Sequence, residues 1–279
     1  MDITSIETYR VARSRAELAL EPGETHIAGG TWLMSEPQPG ITGFVDLTAL
    51  GWPDIEVSAD GLRIGATCTI ARLLAWSEGR AADLPAVPAD WSATAVIPDA
   101  AHALLASFKI WNTATVGGNI CRSFAAGAMI SLTVALDAVA VIWTPDGGER
   151  RLPVAGLPTG NGTNVLAAGE VLRAVEIPAR TLRSRVLLRK IALAELGRSG
   201  AVVTGRADAD GSTTFAVTAA TASPNVFRFA GSPDAATLAA CVASAQGYYT
   251  DALGAADWRR GVSIELAERI RVELDGAAA

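Results

Sequence analysis

The chain of 279 residues has only three cysteines and two histidines. Cys68, Cys121 and Cys241 lie far apart and form no Cys-x-x-Cys pair, and His26 and His102 add no spacing typical of a zinc or iron site. This pattern argues against a disulfide framework and against a resident metal cluster. We therefore expect unpaired thiols, no metal ligands and a cytoplasmic location.

Long apolar runs and basic clusters are also lacking. Residues 1–20 are interspersed with charges, unlike a signal peptide, which has an apolar centre. The most apolar stretch, 128–143, is interrupted by Asp137 and is too short to span a bilayer. The net charge is -6, so we expect neither nucleic acid nor an anionic membrane surface as a partner.

What the chain does contain is typical of a globular protein, because half of its residues are hydrophobic and 19% are charged. The residue pattern predicts strands at 25–28, 43–47, 62–67, 138–143 and 170–177. It predicts helices at 70–76, 99–111 and 125–136. Because no regular succession of β-α-β units is visible, we predict an α+β fold rather than a doubly wound parallel sheet.

A predicted strand that ends at Pro178 and a charged segment after it mark a domain boundary near residue 180. We predict a first domain at 1–180 and a C-terminal α+β domain at 181–279, which holds a three-stranded sheet with helices. Its strands are predicted at 186–192, 201–207 and 214–220, with a hairpin turn at 208–211. Its helices are predicted at 234–245 and 263–274, with Ser263 as an N-cap.

One candidate for chemistry follows the first predicted strand, where the chain reads Ala28-Gly29-Gly30-Thr31. Glycines lack the Cβ that would hold an oxyanion away from the backbone, so their amide hydrogens can approach a diphosphate. The threonine adds a hydroxyl donor. Alone, this sequence is more often a simple turn after a strand than a binding site.

A second candidate is Thr115-Val116-Gly117-Gly118-Asn119, which precedes the predicted helix at 125–136. It offers backbone amides and polar side chains again, so two such loops favour dinucleotide binding over two structural turns. Neither loop carries the Gly-Lys-Ser/Thr of a P-loop or the Gly-x-Gly-x-x-Gly of a Rossmann fold. The glycines at 147–148 and 160–162 are interpreted as surface turns.

These motifs, taken in order, resemble one family. The two loops, Ile64-Gly65-Ala66-Thr67, Leu136-Asp137-Ala138 and the strand ending Val175-Glu176-Ile177-Pro178 are similar to the FAD-binding (medium) subunits of molybdenum hydroxylases. Carbon monoxide dehydrogenase and xanthine dehydrogenase contain such flavoprotein subunits. The resemblance covers the N-terminal domain and extends more loosely into the C-terminal one.

The resemblance implies a two-part FAD-binding domain of the molybdopterin dehydrogenase type, subdivided near residue 50, and a set of cofactor-binding residues. Those residues are Ile27, Ala28, Gly29, Gly30, Thr31, Trp32, Leu105, Ala114, Thr115, Gly117, Gly118, Asn119, Arg122, Leu172 and Lys190. Leu172 and Lys190 stand where the family approaches the flavin ring, although a core leucine and a strand-edge lysine reaching solvent are the plain alternatives.

The sequence departs from the family at Ala128, where the family usually has a carboxylate that can hold FAD hydroxyls. Arg122 or Ser123 is the expected replacement contact. Trp32 is a second departure, standing where a short polar or acidic residue is common; it either stacks near the cofactor or packs.

The resemblance also implies a function. FAD in this chain is expected to receive electrons from [2Fe-2S] clusters of a small partner subunit and pass them to an external acceptor, within an oxidoreductase. A large molybdopterin-binding subunit would oxidise the substrate, and the complex would be a dimer of heterotrimers. No catalytic acid, base or nucleophile is predicted in this chain. The alternatives are a scaffold subunit that has lost FAD and a self-contained flavin oxidoreductase.

Overall fold

The computed structural model describes residues 5–103, 108–194 and 197–276. In this part of the chain, helices and mostly antiparallel strands mix without a doubly wound sheet, which confirms the predicted α+β class. None of the helices in these ranges is long and apolar enough to cross a membrane.

The chain begins with a small parallel sheet of three strands in the order β1-β3-β2. The strands are β1 (Thr8–Val11), β2 (Glu24–Ile27) and β3 (Gly43–Asp46). A short 3-10 helix, Arg15–Leu18, connects the first two. Val45 and Leu47 pack with Ala12 and Leu18 beneath this sheet. The backbone leaves β2 at Ile27 and enters the first glycine-rich segment directly.

A five-stranded antiparallel sheet follows, in the order β4-β5-β10-β6-β7. A two-stranded hairpin, β8–β9, lies between β7 and β10 in the sequence. The strands are β4 (Ile55–Val57), β5 (Gly61–Gly65), β6 (Val139–Trp143), β7 (Glu149–Pro153), β8 (Pro158–Gly160), β9 (Thr163–Asn164) and β10 (Val171–Pro178). Alternate residues such as Leu62 and Ile64 face the main core.

Helices cover the core face of this sheet. They are α1 (Ile70–Ser77), α2 (Val96–Ala103), α3 (Phe108–Thr113), α4 (Val116–Arg122), α5 (Ala128–Ala135) and α6 (Ala179–Leu182), with 3-10 turns at Ser92–Ala95 and Val154–Gly156. The helix predicted at 99–111 corresponds to α2 up to Ala103 and to α3 from Phe108, and its residues 104–107 lie outside the described part of the chain. The helix predicted at 125–136 starts at Ala128, since α4 ends at the left-handed Ser123 and Gly127 occupies the N-cap position of α5.

The C-terminal part is an antiparallel sheet covered by two helices. Its elements are β11 (Arg185–Ala192), β12 (Ser199–Ala207), β13 (Thr213–Thr218), β14 (Asn225–Phe229), α7 (Ala235–Ala243) and α8 (Ala256–Gly276). The strands pair in sequence order. The predicted three-stranded sheet therefore lacked β14, although Phe227 and Phe229 of this strand pack against the C-terminal core.

Helix α8 corrects another expectation, because Ser263 is not an N-cap. It lies inside the helix, and its hydroxyl donates to the carbonyl oxygen of Arg259 at 2.7 Å. Arg259 is fully buried, a position where a sequence pattern expects an apolar residue, so the first turns of the helix were missed.

The fully buried α5 joins the two parts of the molecule. It packs on α2 and α4 on one side and on β12 and β13 on the other. The hydroxyls of Ser131 and Thr218 meet there at 2.7 Å. Arg206 of β12 donates to the carbonyl oxygen of Ala135 at 2.7 Å, which ties the C-terminal sheet to the end of α5. A helix that is apolar on all faces is typical of such a central position.

Candidate functional site

A cavity of about 470 Å³ opens where the end of β2, the start of α4 and the start of β10 meet. Its lining comes from both glycine-rich segments and from residues of β10 such as Val171 and Leu172. We call residues 28–33 the first glycine loop and residues 112–119 the second glycine loop. The two loops are separated by 78 residues in sequence, and the fold brings them into contact.

The contact between the loops depends on Gly29. A Cβ at this position would lie 1.9 Å from the carbonyl oxygen of Thr113 and 3.1 Å from the Cα of Ala114, both in the second loop. Gly30 has a φ of +65°, and its carbonyl oxygen accepts a hydrogen bond from Met34 at 2.8 Å, which closes the turn. The paired glycines therefore shape the first loop and let the second loop approach it.

The backbone amides of the second loop are already used inside the protein. Thr115 is the N-cap of α4, and its side-chain oxygen accepts from the amide of Gly118. The four consecutive donations are Val116 to the carbonyl of Cys68 (2.8 Å), Gly117 to the carbonyl of Ala66 (2.9 Å), Gly118 to the Thr115 hydroxyl oxygen (3.0 Å) and Asn119 to the carbonyl of Thr115 (2.9 Å). These amides are not open to a diphosphate.

The first loop differs in this respect. Residues 29–33 all line the cavity, and across the described ranges no group accepts a hydrogen bond from any of their five amides. Consecutive open amides are the kind of donor set that binds an anion such as phosphate. The first loop therefore suits the diphosphate of a dinucleotide.

The two glycines of the second loop have different surroundings. A Cβ on Gly117 would lie 2.5 Å from the Cβ of Ala66 and 2.7 Å from its carbonyl oxygen, so Gly117 permits close packing on the segment after β5. Gly118 is exposed towards the cavity, and a Cβ there would meet only the Thr115 hydroxyl, at 2.8 Å. Gly118 thus keeps one wall of the cavity open.

Arg122, at the end of α4, places a guanidinium in the same cavity. The group lies over the rings of Trp32 and Phe124, at 4.6 and 4.1 Å from their centroids. Trp32 and Phe124 contact each other edge-on at 4.8 Å. The Nε of Arg122 is buried without a partner in the described structure, and Nη1 makes only a long contact, 3.5 Å, with the carbonyl of Gly162. Burial lowers the pKa of Arg122.

The segment that carries Arg122 is held by the β8–β9 hairpin and its turn. The amide of Gly162 donates to the carbonyl of Ser123 at 2.8 Å, and the side chain of Asn161 accepts from Ala125 at 3.0 Å. The side-chain amide of Asn164 donates to the carbonyl of Cys121 at 2.6 Å. The glycines at 160–162, interpreted from sequence as a surface turn, therefore support a wall of the cavity.

Ala128, the position without the family carboxylate, begins α5 and is buried in the main core. It is not among the lining residues of the cavity. Asn119 supplies the cap that the helix needs, because its side-chain oxygen accepts from the amide of Met129 at 2.9 Å. This bond fixes the orientation of Asn119, leaving its NH2 group as the part that can donate to a ligand.

The remaining titratable side chains of the lining have internal partners or are neutral. Burial lowers the pKa of His26, whose Nε2 lies 2.9 Å from the carbonyl oxygen of Leu18. Glu170 forms two hydrogen bonds of 2.6 Å with Arg150, and these lower its pKa. Burial raises the pKa of Cys121 to about 12, so the thiol keeps its proton. No cluster of potential metal ligands occurs among the described residues.

Most of the predicted cofactor-binding residues meet at this cavity. Those that line it are Ala28, Gly29, Gly30, Thr31, Trp32, Ala114, Thr115, Gly117, Gly118, Asn119, Arg122 and Leu172. Ile27 instead points into the protein, with 3% of its surface exposed. Lys190 lies on β11, where its ammonium donates to the carbonyl of His102 at 2.8 Å, away from the lining. Leu105 lies outside the described residues.

Sequence analysis missed several lining residues. Thr67, Leu166 and Val171 come from segments that the fold brings in, and Phe124 adds an aromatic wall. Thr67 belongs to the Ile64–Thr67 motif that carried the resemblance, and this was the one available signal. The others follow no motif of their own and are placed by tertiary structure alone.

Comparisons with known proteins agree with this geometry. Residues 6–180 match the family model described as the FAD binding domain in molybdopterin dehydrogenase. A search of the curated proteins gave no match.

Solved structures show the same fold over nearly the whole chain. Quinoline 2-oxidoreductase from Pseudomonas putida 86 has a TM-score of 0.79 at 21% identity, with 98% of each chain covered. The carbon monoxide dehydrogenase of Hydrogenophaga pseudoflava that lacks the Mo-pyranopterin moiety has a TM-score of 0.77 at 18% identity, with 95% of each chain covered. Reconstituted CO dehydrogenase from Oligotropha carboxidovorans has a TM-score of 0.76 at 20% identity, with 94% of each chain covered.

The family model covers more than half of the sequence, and the two glycine loops that it includes form one cavity in the structure. The chain therefore belongs to the family of the FAD binding domain in molybdopterin dehydrogenase.

Proposed function

We propose that this chain holds FAD in the cavity between the glycine loops and relays electrons within a multi-subunit molybdenum hydroxylase. The observation that carries the proposal is the row of five amides, residues 29–33, for which the described part of the chain offers no acceptor. They lie along a cavity that also contains the Arg122 guanidinium, which has no ion pair among the described residues. Both features suit the diphosphate of FAD. Bound FAD would supply the redox chemistry.

The protein's part is to bind and orient the cofactor. The open amides of the first loop would hold the diphosphate, and Gly118 leaves room beside it. Leu172, on β10, contributes an apolar wall, and Lys190 remains a predicted contact on the side of the flavin ring. The FAD-binding domain would comprise residues 1–180, with residues 181–279 as the C-terminal domain.

Electron relay is favoured over a self-contained oxidoreductase by the state of the lining side chains. His26, Glu170 and Cys121 are bonded internally or are neutral, so none is prepared as a catalytic base or nucleophile. Electrons would arrive from the [2Fe-2S] clusters of a small subunit, after substrate oxidation at the molybdenum cofactor of a large subunit. We further propose a cytoplasmic dimer of heterotrimers.

The scaffold alternative, in which the chain has lost FAD, rested on Ala128. In the structure this residue is in the core and outside the cavity lining, while the anion-binding features remain. These features support retention of the cofactor.

Cofactor identity is tested by purifying the chain together with its co-expressed partner subunits. We expect flavin absorption bands and the release of about one FAD per chain on acid denaturation, identified by its mass. A complex that contains no flavin would overturn the proposal. Relay is then tested by adding substrate anaerobically: the flavin should become reduced, and a flavin that stays oxidised while the iron-sulfur clusters are reduced would exclude the relay.

A further inference from the structure

Arg122 is the one charged side chain of the described cavity lining that has no ion pair. The other charged group, Glu170, is neutralised by Arg150, with two hydrogen bonds of 2.6 Å. His26 is kept neutral by burial. The described wall of the cavity therefore carries one uncompensated positive charge.

The position of Arg122 on α4 directs it towards the open part of the cavity. It follows Gly118 by four residues, so the two lie on the same helix face, and long helical side chains lean towards the N-terminus. The guanidinium stacks on Trp32, which belongs to the first glycine loop. The cation thus lies beside the first glycine loop, and Phe124 and Gly162 are its other neighbours.

A guanidinium in this environment is poorly satisfied. Its Nε is shielded from water without a partner, and Trp32 and Phe124 cover its faces. A partly desolvated cation without a counter-charge is unfavourable, and an anion would relieve that penalty. The planar guanidinium edge can donate two parallel hydrogen bonds to phosphate oxygens.

We propose that Arg122 is a phosphate-binding residue, whose guanidinium pairs with the diphosphate of FAD beside the first glycine loop. In this arrangement it replaces the amides of the second loop, which are bonded within the protein. The inference rests on the proposed function and adds to it a determinant of cofactor choice. Arg122 favours a flavin that carries a diphosphate over one without phosphate.

The test compares binding of FAD and riboflavin, followed by flavin fluorescence, to the flavin-free chain. Arg122→Gln should weaken FAD binding roughly 10- to 100-fold, because a charge-assisted contact is lost, and leave riboflavin binding unchanged. Arg122→Lys should retain part of the preference, since it keeps the charge without the planar fork. Arg80→Gln removes an equal charge from an exposed site paired only with Glu78 and should change neither affinity.

Salt dependence gives a readout that needs no variant. In the wild-type chain, rising ionic strength should weaken FAD binding and spare riboflavin binding. The inference is overturned if Arg122→Gln lowers both affinities equally, if it lowers neither, or if salt affects the two flavins alike. A wild-type chain that binds riboflavin and FAD equally well would also overturn the inference about Arg122, while the proposed flavin binding would still stand. If the wild-type chain binds neither flavin, the proposed function fails first.

Discussion

Gly29 and Gly118 each occupy a glycine loop, but a Cβ would meet different surroundings at the two positions. At Gly29 it would collide with the backbone of the second loop, 1.9 Å from a carbonyl oxygen. At Gly118 it would enter the cavity and touch only the Thr115 hydroxyl. The first glycine is needed for folding, and the second for access of the ligand.

Replacing Gly118 with valine should therefore release FAD without unfolding the chain, at a loss of about 1 kcal/mol in stability. Gly29→Ala should lower the free energy of unfolding by about 1–3 kcal/mol or more, because the backbone must move. Gly261→Val is the matched control, as Gly261 is an exposed helical glycine with no neighbour within 4 Å of its Cβ position. Flavin content and urea unfolding measure both effects. Full FAD retention by Gly118→Val would contradict this assignment.

His26 makes stability depend on pH. Burial lowers its pKa below the ordinary 6.5, so at lower pH the unfolded chain binds a proton that the folded chain does not. Stability is thus lost as pH falls through and below about 6.5. The stability difference between the wild type and His26→Gln should shrink as the pH is lowered from 7.5 to 5.5, measured by urea unfolding. A difference that grows on acidification would show that the folded state favours the charged imidazole.

Among the elements, the β8–β9 hairpin has the clearest link to the site. It lies outside the glycine loops, yet three of its residues bond to the segment 121–125 that presents Arg122. The Asn164 side chain contributes twice, donating to Cys121 and accepting from Leu166 at 2.9 Å. The position of the guanidinium is therefore set by an element that carries no binding motif.

Asn164→Ala should reduce the free energy of unfolding by about 1–2 kcal/mol and weaken FAD binding several-fold, since the carbonyl of Cys121 loses its donor. Thr159→Ala, in the same hairpin, removes only an exposed hydroxyl contact with Thr163 and should do neither. Chemical unfolding and flavin titration report the two quantities. If the two substitutions had equal effects on stability and FAD binding, the Asn164 hydrogen bonds would not be what positions the segment 121–125.

Sequence patterns predicted the elements that have strong apolar alternation and missed those that do not. β5 and β10 were predicted close to their bounds because Leu62, Ile64, Val175 and Ile177 alternate into the core. β7, with the sequence Glu-Arg-Arg-Leu-Pro, carries no such signal and was missed. α4 was read as a loop because its first turn contains Gly117 and Gly118, which are poor helix formers.

The site was predictable in its residues and less so in its chemistry. The glycine motifs identified both loops, but only the structure shows that the amides of the second loop are bonded to Ala66, Cys68 and Thr115. Those partners come from segments remote in sequence or from the N-cap geometry. The unpaired state of Arg122 is likewise a property of its neighbours in space, which no spacing rule reveals.

On the scale of the whole molecule, Arg206 couples the two parts of the chain. It is 3% exposed and donates to Asp137 at 2.7 Å and Asp208 at 2.8 Å, as well as to the end of α5. Arg228 also reaches Asp137, but its side chain is 58% exposed. One arginine is thus a buried link, and the other a surface contact with the same carboxylate.

Arg206→Met should lower the free energy of unfolding by about 3–5 kcal/mol, because two carboxylates would lose a buried partner. Arg228→Gln, the matched control, should lower it by less than about 1 kcal/mol. Denaturant unfolding followed by circular dichroism measures both. If both variants lower the free energy of unfolding by less than about 1 kcal/mol, the C-terminal sheet is held to α5 by apolar packing alone.

The contrast between the loops also predicts how deuterium would enter them. Amides 116–119 already have partners within the protein, so we expect them to exchange slowly both without and with a ligand. Amides 29–33 have none within the described structure, so they should exchange fast in the empty chain and slow down on flavin loading. Mass spectrometry of peptides should then show that cofactor binding lowers deuterium uptake in the first glycine loop and leaves uptake in the second glycine loop unchanged.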